Sequence, residues 1–263
     1  MISDSDRDAA LRFGWQVTRA EAAVVDAGLR AYVLRVYNYM VLGLAITGFA
    51  ALGTYRLSMS VAPAFAVEMP GTGVTLTDFG AAVFTTPLKW LVILAPLGLI
   101  WLLSSRVGRM STIATRATFC LYAALVGIWL GAIFIIFART SLVQVFFVTA
   151  ASFAALSFWG YTAQRELSRT ASFLIMALSG IVIAALVNAV SASSQLQLMV
   201  CVAGVLVFAG LTAWDTGRLK TEYVRSAIGG DVAERSAVMG ALSLYLNFVN
   251  MFIVLVALLG WRK

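Results

Sequence analysis

Seven apolar segments alternate with polar connections along this chain. They lie at about residues 32–54, 88–104, 117–138, 142–163, 171–190, 196–215 and 239–260. Most are close to the roughly 20 residues that a helix needs to cross the bilayer core. The pattern predicts an all-α integral membrane protein, with a polar N-terminal tail over residues 1–30 and one transmembrane domain over residues 31–263.

The last apolar segment, 239–260, differs from the others because it carries two asparagines in its middle. Asn247 and Asn250 are three residues apart, so they share one face of a helix. A primary amide that faces lipid is costly, which predicts that this face is turned toward other helices or water. The amides are either part of a functional site or simple interhelical hydrogen bonds, worth about 0.6 kcal/mol each.

Composition agrees with the membrane class. The 263 residues are 61% apolar and only 12% charged, whereas soluble domains carry about 25% charged residues. Fourteen of the 19 Lys and Arg residues fall in the N-terminal region and in alternate connections on the same side. Because positive charge is retained in the cytoplasm, we expect a cytoplasmic N-terminus and, after seven spans, a C-terminus outside.

Several classes of function are disfavoured by the residues present. The chain has no histidine, which removes imidazole-based metal sites and general bases. Cys120 and Cys201 lie inside apolar segments and are interpreted as small buried hydrophobes. No phosphate loop, nucleophile–base arrangement or basic nucleic-acid-binding face is present. We therefore expect no enzymatic activity, no cofactor and no nucleic-acid partner.

Asp215 is the candidate for chemistry. It ends the sixth apolar segment, and an ionisable group at the edge of the hydrocarbon is a functional candidate by default. The alternative is an interfacial acid that pairs with Arg218 or Lys220. Arg106 closes the second segment and is expected at the same inner face, within reach of Asp215.

Two sequence blocks carry a resemblance to a known family. Residues 208–220 (FAGLTAWDTGRLK) and 240–252 (GALSLYLNFVNMF) resemble the signature blocks of the Bax inhibitor-1 (TMBIM) family, most of all its bacterial, YccA-like branch. The stretches 146–153 and 160–168 are similar to the fourth span of that family and the loop after it, and residues 176–180 with Asn188 are similar to its fifth. The likeness covers about residues 30–260.

The resemblance implies a seven-helix bundle in a bacterial inner membrane, with the last helix enclosed by the other six. It also implies a pH-sensitive calcium leak. In this family an acid near the end of the sixth span pairs with an acid in the last span, and a basic residue closing the second span helps to latch the pair. These positions correspond to Asp215, Asn247 and Arg106, with Asn250 and Asn188 as supporting polar residues.

Asn247 departs from the family pattern. Two close carboxylates repel each other and share a proton, whereas an Asp–Asn pair has no such repulsion. We therefore expect Asp215 alone to carry the pH response and to be the contact for calcium on its pathway. Contact with Asn247 requires the seventh helix to begin well before residue 239, or the sixth to continue past Lys220, because Asn247 lies about 15 Å along its segment.

Other roles stay open at this stage. The YccA-like branch is associated with a membrane-bound AAA protease, and a flexible N-terminal tail suits a protease that grips chain ends. The chain would then be a modulator of that protease without transport. An ordinary transporter or a structural membrane protein is the third possibility, and in each case we expect a monomer in the lipid bilayer.

Overall fold

Seven long helices form a bundle, and the last of them lies at its centre. The computed structural model describes residues 4–59, 67–68, 75–137, 139–162, 168–226 and 230–260. The helices are α1 (Asp4–Ser58), α2 (Asp78–Phe84), α3 (Leu88–Arg106), α4 (Thr112–Ile136), α5 (Arg139–Thr162), α6 (Ser168–Ser191), α7 (Ser194–Ser226) and α8 (Gly230–Leu259). All except the short α2 contain a segment long and apolar enough to cross a membrane. The predicted all-α, seven-span fold is confirmed.

Several helices extend well beyond the apolar segments from which they were predicted. α7 continues to Ser226 and α8 already begins at Gly230, whereas hydropathy placed these ends at 215 and 239. Hydropathy marks only the part of a helix that suits lipid. The backbone stays helical further, because Lys, Glu and Arg are good helix formers.

The N-terminal segment also differs from its prediction. Residues 4–30, expected to form a tail, belong to the same helix as the first span, since α1 begins at Asp4. Alanines recur through this segment and no proline precedes Pro63, so nothing in the local sequence ends the helix. The predicted outer position of the C-terminus concerns residues 261–263, which lie outside the described residues.

α8 is the central helix. It packs directly on α1, α4, α5 and α7, while α3 packs on α4 and α6 packs on α7. More of its apolar stretch is buried than in any other of the seven spans. Tyr245, Leu244 and Val238 of α8 are fully buried. The expectation was enclosure of the last helix by the other six; α8 is central, and four of the six, α1, α4, α5 and α7, pack on it directly.

Structure is also present in the long connection between α1 and α3. Strand β1 (Val67–Glu68) pairs antiparallel with β2 (Thr75–Leu76). The Thr77 hydroxyl accepts a hydrogen bond from the backbone N–H of Gly80, which caps the start of α2. Leu76 is buried against Tyr55 and Ile135, so this hairpin is anchored to the ends of α1 and α4.

Two glycines allow α4 to approach α1 closely. A Cβ at Gly127 would lie 2.5 Å from the carbonyl oxygen of Thr47, and a Cβ at Gly131 would lie 2.8 Å from Thr54. These glycines are four residues apart, which is the small-residue spacing that permits close packing of membrane helices. The interface between α1 and α4 therefore depends on the absence of a side chain at both positions.

We expect Gly127→Ala to lower the stability of the bundle. Overpacking costs about 1–3 kcal/mol, which exceeds the gain of up to about 1 kcal/mol in helix propensity. Thermal unfolding of the purified protein in detergent measures the change. Gly98→Ala on α3 is the matched control, because nothing lies within 4 Å of a Cβ there. Equal melting temperatures for the two variants would contradict the packing argument.

Candidate functional site

Asp215 and Asn247 meet between α7 and α8. Asn247 donates from Nδ2 to Oδ2 of Asp215 over 2.7 Å, and Ser243 donates from Oγ to the same oxygen, also over 2.7 Å. Asp215 and Asn247 are each only 5% exposed. Because Ser243 and Asn247 are four residues apart, they lie on one face of α8. That helix therefore presents two donors to a single carboxylate oxygen of α7.

The contact exists because both helices are longer than their apolar segments. Asp215 is an interior residue of α7, which continues past Lys220 to Ser226, and Asn247 lies deep inside α8, which starts at Gly230. Either extension was expected to allow the two side chains to approach, and both are present. The antiparallel helices bring the two residues to the same depth.

The second oxygen of Asp215 has a different environment. Oδ1 is buried and makes no hydrogen bond to a described residue. The nearest cation is Arg218, whose Nη1 lies 3.9 Å away, beyond hydrogen-bond distance. The guanidinium of Arg218 lies over the Trp214 ring, 5.0 Å from its centre. One carboxylate oxygen is thus held by two donors, and the other is buried without a hydrogen bond to a described residue.

Arg106 is not brought to Asp215. It is exposed at the end of α3, and α3 packs on α2 and α4. In the described part of the chain, the contacts of Asp215 come from Ser243, Asn247 and Arg218. The basic neighbour is therefore Arg218 on the same helix, because α4 lies between α3 and the α7–α8 pair.

The two other predicted asparagines lie apart from this site. Asn250 is half-buried, and none of the hydrogen bonds found among the described residues involves its side chain. Asn188 is buried in the last turns of α6, where its Nδ2 donates to Oε1 of Gln197 over 2.8 Å. Gln197 precedes Asp215 by 18 residues of helix, or about 27 Å. Asn188 therefore links α6 to α7 at the opposite end of the bundle.

Helix α5 supports the Asp215 segment from the other side. The hydroxyl of Thr216 donates to the carbonyl of Thr212 over 2.8 Å and lies 3.4 Å from the hydroxyl of Ser157. A Cβ at Gly160 would lie 2.2 Å from the carbonyl oxygen of Ala213. This glycine lets the backbones of α5 and α7 come close, which holds Asp215 against α8.

A second buried carboxylate joins α8 to α1 and α4. Glu234 accepts hydrogen bonds from Arg35 over 2.7 Å, from Arg116 over 2.5 Å and from the hydroxyl of Tyr39. The Glu234 side chain is 12% exposed, while the two arginines are nearly half exposed. This Glu234 cluster lies nine residues before Ser243, or about 13 Å along α8. It marks the end of the bundle where α4 and α8 begin, which we call the basic end.

Sequence reasoning missed Ser243 and Glu234 for different reasons. Ser243 lies one helical turn before Asn247, so the i, i+4 spacing contains the signal that both face the same partner. Glu234 lies before the apolar segment that begins at 239, where it has the appearance of a loop residue. Arg35 lies near the start of the first apolar segment, where nothing in the local sequence indicates a partner; its ion pair with Glu234 of α8 is visible only in three dimensions.

Comparison with known proteins agrees with this architecture. A family model described as inhibitor of apoptosis-promoting Bax1 matches residues 29–263. The chain belongs to the Bax inhibitor-1 family. The inner membrane protein YbhL of Escherichia coli is 38% identical over 239 residues, which cover 90% of this chain and 94% of YbhL.

Other bacteria contain relatives of similar length. The protein RP147 of Rickettsia prowazekii is 35% identical over 246 residues, covering 94% of this chain and 96% of that protein. A membrane protein of Streptococcus pyogenes is 31% identical over 236 residues, covering 89% and 94%. The sequence similarity therefore extends over almost the whole of each of these relatives.

We expect Asn247→Leu to destabilise the bundle by about 1.5–3 kcal/mol, because the variant removes one hydrogen bond to a buried carboxylate. The matched control is Asn250→Leu, which removes the same amide from the same helix at a position without a hydrogen bond to a described residue. Thermal unfolding in detergent compares them. If Asn250→Leu proves as destabilising as Asn247→Leu, the hydrogen bond to Asp215 does not stabilise the bundle.

Proposed function

We propose that this Bax inhibitor-1 family protein is a cation leak channel for calcium in the bacterial inner membrane, and that Asp215 carries its response to pH. The observation that supports the proposal is the asymmetric environment of the Asp215 carboxylate. Oδ2 holds α8 through Ser243 and Asn247, and Oδ1 has no hydrogen bond to a described residue. A buried carboxylate oxygen without a hydrogen bond is the atom that would take up a proton, or contact a cation once the helices separate.

Protonation of Asp215 would loosen the two helices. Hydrogen bonds to an ionised carboxylate are roughly twice as strong as those between neutral groups. Both bonds that join α7 to α8 at this depth end on Oδ2, so a proton on the carboxyl weakens them together. Arg218 is the nearest cation to Asp215 among the described residues, with its Nη1 3.9 Å from Oδ1.

The amide of Asn247 stands where a second acid would add another titrating group to the site. Asn247 has no proton to release, so protonation of the pair depends on Asp215 alone. The side chain also donates to Asp215 as an amide, a geometry that an ionised carboxylate at this position does not allow. The response to pH is therefore proposed to be a single-site titration.

Calcium is proposed as cargo that passes Asp215. Calcium takes six to eight oxygen ligands in a stable site, and no group of three Asp, Glu or Cys residues lies together within the described ranges. One carboxylate oxygen with neighbouring hydroxyls supplies only a transient contact. The orientation proposed for the channel places the basic end in the cytoplasm, because most Lys and Arg residues lie in the connections on that side.

Calcium flux into proteoliposomes from pH 6 to pH 8 tests this function. We expect a pH-dependent flux in the wild type and loss of the pH dependence in Asp215→Asn, because no titrating group remains at the site. Asn247→Asp is expected to broaden the dependence into two steps, since two adjacent carboxylates titrate as a coupled pair.

Asp231→Asn is the matched control for charge removal. Asp231 lies in the first turn of α8, is exposed and contacts Thr112, so its removal should leave the pH dependence unchanged. Absence of calcium flux in the wild type, or a pH dependence that Asp215→Asn leaves intact, would falsify the proposal.

A second role, modulation of a membrane-bound AAA protease, is proposed from the N-terminal segment. Residues 4–26 precede the first candidate span as a continuation of α1 and extend about 35 Å as a helix. A segment of this length is sufficient for a partner to bind without disturbing the bundle.

Deletion of residues 2–26 tests the protease role. We expect the truncated chain to turn over more slowly in cells and to lose any co-purifying AAA protease, because the protease would engage this segment. Calcium flux of the same truncated protein separates the two roles, since the Asp215 site is left in place. An unchanged lifetime and no co-purifying protease would argue against modulation.

A further inference from the structure

A deep groove separates α1 from α5. These two helices do not form one of the main packing pairs of the bundle, and a cavity of about 820 Å³ lies between them. Its rim carries large apolar side chains that are more than half exposed, namely Leu34, Val41 and Phe158. In a membrane, such a groove opens sideways to lipid.

The floor of the groove is an aromatic surface on α8 and α5. Phe248 of the central helix lines it, with its ring centre 5.7 Å from that of Phe146 and 5.5 Å from that of Phe153. Edge-to-face packing of these rings fixes their positions. The groove is therefore a preformed apolar cleft. It extends inward as far as α8, the helix that carries Asn247.

The length of the groove matches one leaflet of the bilayer. It is lined from Arg30 to Ala45 on α1, which is 16 residues or about 22 Å of helix, and half of a bilayer with its headgroup region is about 20–22 Å thick. A second apolar cavity of about 330 Å³ shares Leu44, Phe146 and Phe248 with the first, so the apolar surface continues toward the other leaflet.

Among the described residues, the positive charge near this groove lies at one end of it. Arg30 lines both the groove and an adjoining cavity of about 680 Å³ at the basic end. The Nζ of Lys220 lies 4.8 Å from the ring centre of Tyr161, which lines both spaces. Neither cation has a carboxylate within 4 Å among the residues that the structure describes, in contrast to Arg35 and Arg116.

We propose that the groove is a binding site for one anionic phospholipid. The phosphate binds at Arg30 and Lys220, and one acyl chain lies between α1 and α5 against Phe248. A ligand with a negative head and an apolar tail fits this distribution of charge and apolar surface, because juxtamembrane Lys and Arg attract anionic headgroups. A transmembrane helix of another protein would leave the two cations at the mouth unpaired.

The bound lipid would contact the Asp215 region through a short chain of residues. Ser157 lines the groove, and its hydroxyl lies 3.4 Å from that of Thr216, the residue after Asp215. Lipid in the groove would therefore press on the segment of α5 that supports α7. The lipid site itself stands whether or not the protein conducts calcium.

Native mass spectrometry of the purified full chain tests the site. The protein is titrated with phosphatidylglycerol or with phosphatidylcholine of identical acyl chains, and bound lipids are counted. We expect one tightly bound phosphatidylglycerol, with Arg30→Gln weakening it about fivefold and Arg30→Gln with Lys220→Gln weakening it about 30-fold. Phosphatidylcholine should bind the wild type with the affinity of the double variant.

A variant that fills the groove tests the position of the acyl chain. Ala154 is exposed in the groove, so Ala154→Trp should abolish the tight binding of phosphatidylglycerol. Two controls are expected to retain it: Arg109→Gln, an exposed cation of the connection after α3, and Ala184→Trp, in a smaller groove beside α6.

Three outcomes would overturn the proposal. Equal affinity of the two lipids would mean that the headgroup is not recognised, and unchanged binding in Ala154→Trp would mean that the lipid lies elsewhere. If the chain instead purifies in a one-to-one complex with another protein and carries no lipid, the groove would be the binding site of a helix of that partner. Because the glutamine variants change only exposed or half-exposed side chains, the headgroup result remains decisive even if Ala154→Trp fails to fold.

Discussion

The bundle depends on one constraint, which is that the polar side chains of α8 must not face lipid. Glu234, Ser243, Tyr245 and Asn247 project from this helix at successive depths, and each has a partner on a neighbouring helix. An unpaired polar group in hydrocarbon costs several kcal/mol. The other helices are therefore arranged around α8 so that each of these groups has a partner, and the apolar side chains fill the space between.

The partners divide by depth and by helix. Near the basic end, Glu234 joins α8 to α1 and α4 through two arginines. Deeper, the Tyr245 hydroxyl lies 2.6 Å from that of Thr47 on α1, while Asn247 and Ser243 join α8 to α7. A change at the Asp215 carboxylate therefore weakens one side of α8 while the Glu234 cluster holds the other. In the proposed gate, α8 therefore stays attached to α1 and α4 through Glu234, while its contact with α7 at Asp215 can open.

The enclosure of α8 is also asymmetric with respect to lipid. On the sides of α4 and α7 it is covered by tightly packed helices, with glycines such as Gly127 permitting the close approach of α4 to α1. Between α1 and α5, Phe248 is reached from the bilayer through the groove. The helix that carries the polar site thus also borders the groove that faces the membrane. Phe248, the residue after Asn247, forms the floor of that groove.

The sequence by itself determined the class, the seven spans and the candidate pair Asp215 and Asn247. The class, the spans and the two separate candidate residues follow from hydropathy and from the cost of polar groups in lipid, which act locally along the chain. The pairing of Asp215 with Asn247 was implied by the resemblance to the Bax inhibitor-1 family. Only the tertiary structure decided which groups meet. It placed Arg218, one of the two alternatives expected from the sequence, beside Asp215 rather than Arg106. It also added Ser243 to the site and joined Glu234 to Arg35. A hydropathy pattern does not predict where each helix ends or which helices pack on each of its faces, because both depend on packing between segments distant in sequence.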